Sequence, residues 1–131
     1  SVRPPVDEAG PEENPKPVPS APGLPSFIAE GLLILPWNRP DLVEKLFSRH
    51  GLNIAAVITE PLMGNCGCIE PEAGFLPFLR EITARYDSVL IFDEVITGFR
   101  IGRGGAQAFY NVTPDLATYA KDIAARLRRD K

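Results

Sequence analysis

The sequence predicts an α/β fold, a mostly parallel sheet flanked by helices. Three observations lead there. Two apolar runs of strand length, Ile54–Glu60 ("IAAVITE") and the "VLIFDEV" of residues 89–95, show no polar alternation, as strands covered on both faces do. Segments with helical periodicity lie between the strand candidates, which suits right-handed crossovers between parallel neighbours. Finally, Glu60, Asp93 and Lys121 each fall where a strand candidate ends. In such sheets ligands sit beyond the carboxyl ends of the strands.

Taken in order, residues 1–26 form a proline-rich arm: eight of the chain's 14 prolines lie within residues 1–25, and few residues there can build a core. The arm reads as extended or disordered. From Phe27 the character changes. Leu32–Leu35 form a short apolar strand candidate stopped by Pro36. Asn38 is placed to cap a helix through "RPDLVEKLFSRHG", with Asp41 in its first turn, Gly51 as its stop and Leu42, Val43, Leu46 and Phe47 on one face. After the Ile54–Glu60 strand comes a loop, "PLMGNCGCIEPEAG", and then a second helix from about Phe75 to Tyr86. Leu79, Ile82 and Tyr86 mark its buried face, and Pro77 is tolerated in its first turn. The "VLIFDEV" strand, a glycine-punctuated loop and "PDLATYAK", a last strand candidate ending in Lys121, complete the core. The "GRGG" of residues 102–105 hints at a phosphate cradle, but no helix is expected directly after it.

Composition narrows the function classes. A hydrophobic fraction of 44% and a charged fraction of 24% are ordinary for a globular protein, and the net charge of −3 argues against nucleic acid or an anionic membrane as partner. No apolar run reaches the roughly 20 residues needed to span a bilayer, and "SVRPPVDEAG" lacks the apolar core of a secretory signal. Cys66 and Cys68, with His50 the lone histidine, fall short of a tetrahedral metal site, so no metal is expected. Cysteines this close read as reduced thiols, which fits a cytoplasmic location. His50 reads as a helix-surface residue, Trp37 as a packing residue and Arg100 as structural.

Taken singly, an acid or lysine after a strand marks only the place where the strand reaches the surface. The surrounding residues change that reading. "FDEVITGFRIG", a 12-residue gap and "DLATYAK" resemble the signature of class-III aminotransferases, pyridoxal-phosphate enzymes of fold type I. "AAVITEPLMGNCGCIEPEAGFLPFLREI" and "GGAQAFYNVTPDLATYAK" are similar to the glutamate-1-semialdehyde 2,1-aminomutase branch, the resemblance running from about Leu32 to Ile123. It implies that residues 27–123 are part of a cofactor-binding large domain and that the cofactor is pyridoxal 5′-phosphate.

The resemblance also implies roles. Asp93 holds the protonated ring nitrogen through a charge-assisted hydrogen bond, and Val95 packs on the ring face. Lys121 forms the Schiff base and relays the proton. Asn65 approaches the cofactor and the substrate amine, and Glu60 belongs to the hydrogen-bond shell of the site. Glu94, pointing away from Asp93 by strand alternation, reads as structural. The substrate implied is a small amino acid or semialdehyde. Full-length members are homodimers with sites near the interface.

The chain also departs from the family. By the resemblance, the phosphate-gripping loop of full-length members is expected to lie upstream of Ser1, and their C-terminal domain is expected to lie beyond the matched segment. Ala124, Ala125 and Arg126 stand where a glycine cluster is usual, within a basic tail, residues 124–131. A sheet taken from a larger one is expected to present open edges and an uncovered face. By itself the chain is expected to be inactive. The alternative is a non-enzymatic truncated paralogue that pairs with a full-length subunit or has no function.

Overall fold

The structure, a computed structural model, describes residues 10–13, 15–18 and 29–120. Most of the proline-rich arm, Lys121 and the basic tail lie outside the described residues. The chain divides into two compact units, Ser1–Val43 and Glu44–Lys131.

In the first unit, Leu32–Leu35 form no strand, contrary to the sequence expectation; Leu32 and Leu33 are exposed. An apolar run becomes a strand only where a neighbour completes its ladder, and none of the described residues does so here. Arg39 joins Glu12 and Asp41 in ion pairs of 2.6 and 2.8 Å. The Arg39 guanidinium holds the Asp41 carboxyl below its usual value, while the carboxylates raise that of Arg39.

Helix α1, Pro40–His50, runs across the division between the units. Its cap is not Asn38, which takes a left-handed φ of 58°. The carbonyl of Arg39 accepts the N–H groups of Leu42 and Val43, so the helix opens one residue later than expected. Pro40 then occupies the first helical position, where its fixed φ helps and its missing N–H costs nothing.

The second unit is built on a parallel three-stranded sheet in the order β1 (Ala56–Thr59), β2 (Val89–Asp93), β3 (Leu116–Thr118). Val57 faces Leu90 and Thr59 faces Phe92 across the first ladder, and Phe92 faces Ala117 across the second. Because partners in register share a face, Leu90 and Phe92 turn to the covered side, where both are wholly buried. Helix α2, Phe75–Arg85, packs against β2, burying Phe75, Leu76, Leu79 and Ile82. Pro77 does sit in its first turn. Thr83, also buried, returns its hydroxyl to the Leu79 carbonyl at 2.7 Å. Tyr86, just past α2, packs against Phe47 in a tilted arrangement with ring centroids 5.2 Å apart.

Two polar ties set the register. Ser88 donates its hydroxyl to the Ile54 carbonyl at 2.6 Å, joining the approaches to β1 and β2. Asp115 accepts the Leu90 N–H at 2.7 Å and pairs with Arg80 at 2.8 Å, joining β3 to β2 and α2. The Leu90 N–H and then the Arg80 guanidinium hold the Asp115 carboxyl below its usual value. The opposite face of the sheet stays open: Ile58 is 64% exposed and Leu116 57%, with Val89 also exposed.

Candidate active site

The carboxyl edge of the sheet gathers the polar residues. Asp93 is the last residue of β2, and Thr118, its partner in register, is the last of β3. Asp93 is half-buried, and its Oδ1 accepts the Val95 N–H at 3.1 Å and the Thr118 hydroxyl at 3.2 Å. Among the described residues none donates to Oδ2 and no cation pairs with the carboxylate. The side chain is therefore oriented by two donors on one oxygen, with the other open to an external donor.

Glu94, the adjacent carboxylate, has a different fate. It is 1% exposed, and four hydrogen bonds satisfy it. Oε2 accepts the Ala106 N–H at 2.6 Å and the Thr97 hydroxyl at 3.2 Å; Oε1 accepts the Gln107 N–H and the Gln107 side-chain amide, both at 3.2 Å. Ala106 and Gln107 lie in the first turn of α3, Gly105–Phe109. "GRGG" thus does lead straight into a helix, contrary to the sequence expectation, and the anion its N-terminus binds is the protein's own carboxylate. Five residues span too little of a helical period for the sequence to reveal α3. The structural reading of Glu94 agrees with this placement.

Glu60 follows β1 directly. Its Oε2 accepts the Gly64 N–H at 3.0 Å, and its Oε1 lies 3.4 Å from the Asn65 amide nitrogen. Glu60 therefore braces the loop that carries Asn65, which is itself exposed. That loop is closed by an antiparallel bridge between Met63 and Ile69. A Cβ at Gly64 would lie 2.9 Å from Ile96, so the loop packs closely on the turn after β2. Val95 is half-buried, but strand geometry ends at Asp93 and Val95 opens a turn. Alternation therefore stops informing its orientation; its backbone N–H is what touches the site. His50 and Arg100 are exposed. Cys66 and Cys68 are free and exposed.

Sequence reasoning missed Thr118, Gln107 and Tyr119. The Gln107 amide nitrogen reaches the Tyr119 hydroxyl at 2.7 Å. A cleft of about 410 Å³ opens beside α3, lined by Arg103, Gln107, Asn111 and Tyr119 among others. Neither Asp93, Asn65 nor Glu60 lines it, so it is distinct from the Asp93 edge. No group of three or more His, Cys, Asp or Glu among the described residues could hold a metal. No helix among them is long and apolar enough to cross a membrane.

A parallel sheet with an oriented carboxylate at its carboxyl edge places this chain among α/β proteins, in which ligands sit beyond the carboxyl ends of the strands. The family Aminotransferase class-III matches residues 37–127. The chain is 49% identical over 110 residues to a glutamate-1-semialdehyde 2,1-aminomutase of Natranaerobius thermophilus, covering 84% of this chain and 26% of the relative. Among solved structures it resembles an omega-transaminase from Sphaerobacter thermophilus, with 39% identity, a TM-score of 0.76 and coverage of 84% of this chain and 25% of that one. It also resembles a transaminase with PLP bound, with 28% identity and a TM-score of 0.73 over 80% of this chain and 24% of that one. The chain belongs to the class-III aminotransferase family, whose members depend on pyridoxal phosphate. It spans about a quarter of the length of these relatives.

Proposed function

We propose that this chain supplies the lysine-bearing part of a pyridoxal-phosphate aminotransferase or aminomutase that moves an amino group on a small amino acid or semialdehyde. The observation that carries the reading is Asp93: half-buried, at the end of the central strand, tied through Oδ1 and open at Oδ2. That is the geometry a carboxylate needs to accept the N–H of a pyridinium. Bound pyridoxal phosphate supplies an electron sink for the charge left when a substrate Cα loses its proton. Asp93 keeps the ring nitrogen protonated. The Val95 N–H and the Thr118 hydroxyl keep Asp93 from turning away. Lys121, three residues past Thr118 in sequence, supplies the primary amine that holds the cofactor and carries the proton at Cα. Asn65, on the loop braced by Glu60, meets the substrate amine, and Val95 packs on the ring.

The test is to mix the purified chain with pyridoxal phosphate, reduce with borohydride, and map the adduct by mass spectrometry, with Lys121→Ala as control. A stable adduct on Lys121, absent in the control, supports the reading. Equal labelling of other lysines, or none, overturns it for this chain. A second reading, a chain that pairs with another subunit and does no chemistry itself, draws on the open sheet face formed by Ile58, Val89 and Leu116. A full-length homodimeric relative is the partner it implies. Absence of the adduct together with co-sedimentation with such a relative would favour it.

A further inference from the structure

We propose that Glu94, Gln107 and Tyr119 form a positioning relay that holds the chain segment leading to Lys121 against the carboxyl end of β2. The inference rests on the reading of Lys121 as the cofactor's amine. Glu94 grips that segment twice. Its backbone N–H donates to the Thr118 carbonyl at 3.0 Å, carrying the β2–β3 ladder one residue past Asp93. Its side chain reaches the next residue, Tyr119, through Gln107. The Gln107 amide nitrogen has two hydrogens and two acceptors, Glu94 Oε1 at 3.2 Å and the Tyr119 hydroxyl oxygen at 2.7 Å. Glu94 Oε1 already accepts the Gln107 backbone N–H, and as an acceptor it meets the amide through its nitrogen. The same nitrogen then reaches the Tyr119 hydroxyl.

The Tyr119 ring, although exposed, rests on two neighbours. It lies 5.7 Å from Phe99, centroid to centroid. It also covers Gly98, where a Cβ would come within 2.5 Å of Tyr119 Cδ1 and 2.7 Å of the Glu94 carbonyl oxygen. The backbone at Gly98 is itself returned to Glu94, its N–H donating to that carbonyl at 2.8 Å. Thr118 and Tyr119, consecutive residues, are thus held at backbone and side chain by the one residue that follows Asp93. The pyridinium-binding carboxylate and the approach to the lysine share a single buried anchor. Capping α3 alone would require only the Ala106 and Gln107 N–H bonds. The Gln107 side-chain bridge to Tyr119 goes beyond that need.

The discriminating variants are Tyr119→Phe and Gln107→Met, which break the bridge and leave the backbone bonds of Glu94 to α3 in place. Two readouts are taken on the full chain. The first needs no cofactor: competitive acetylation by acetic anhydride, comparing Lys121 with Lys45 by mass spectrometry. The second is the rate of adduct formation on Lys121 with pyridoxal phosphate. With thermal melting unchanged, the relay predicts an altered Lys121 to Lys45 labelling ratio in both variants. It also predicts adduct formation slowed by up to about a hundredfold, the order expected for a reacting group misplaced by about 1 Å. A labelling ratio equal to wild type in both variants overturns the relay, whatever the adduct does. If the ratio shifts but wild type forms no adduct, the relay stands and the cofactor reading falls. If wild type forms the adduct and neither readout moves, the cofactor reading stands and the relay falls.

Discussion

Asp93 and Glu94 are neighbours of the same chemistry whose surroundings give them opposite tasks. Asp93 keeps one oxygen open beside the sheet edge, whereas Glu94 is buried with both oxygens saturated. Substituting each therefore separates binding from stability. Asp93→Asn should leave the urea midpoint nearly unchanged, since the amide oxygen can still accept from Val95 and Thr118, while weakening cofactor retention in a spectroscopic titration. Glu94→Ala should lower unfolding free energy by about 2–4 kcal/mol in urea melts, because it strands buried donors in α3 and on Thr97. A Glu94→Ala chain as stable as wild type would show that the Glu94 carboxylate does not hold α3 in place.

At the scale of elements, α3 and β3 are both too short to persist alone and exist through side-chain ties. Gly105 opens α3 with a φ of 64°, and a Cβ there would collide with the Glu94 carboxylate. Gly105→Ala should therefore cost about 1–3 kcal/mol by thermal or urea unfolding, combining backbone strain with displacement of the cap. β3 depends on Asp115, whose carboxyl is held low by the Leu90 N–H and Arg80. A depressed folded value means the folded state binds fewer protons, so this contribution is complete above the ordinary aspartate value of about 3.9 and fades as pH falls through the lower folded one. Because the group is partly exposed, the effect is small. Asp115→Asn should flatten the acid limb of a stability-versus-pH curve below about pH 4 and leave its slope near neutrality unchanged. An unaltered acid limb would show that the pair contributes nothing.

At the scale of the molecule, the sheet of the second unit is covered on one face, whereas on the other Ile58, Val89 and Leu116 are exposed among the described residues. β1 and β3 are both edge strands among the described residues. Exposed edges next to an apolar face favour association with another chain. Sedimentation velocity should show weight growing with concentration, and Ile58→Lys combined with Leu116→Lys should suppress it without changing the far-ultraviolet circular dichroism. Concentration-independent monomers in the wild type would count against any pairing role for this face.

The sequence by itself determined β1, α2 and β2 of the second unit, because apolar runs and helical periodicity act over distances the chain encodes locally. It also placed Glu60 and Asp93 at strand ends, for the same reason. Tertiary structure decided the rest. Leu32–Leu35 read as a strand but form none, since a strand needs a partner as well as a composition. Asn38 lost the cap of α1 to the residue before Pro40, whose ring sets the first turn. α3 was invisible to periodicity, and Thr118, Gln107 and Tyr119 carry no motif. They acquire meaning only because parallel pairing brings residues 93 and 118 side by side and burial forces Glu94 to find four donors. Periodicity records which way a side chain faces; only folding determines which groups, distant in sequence, must satisfy one another once water is gone.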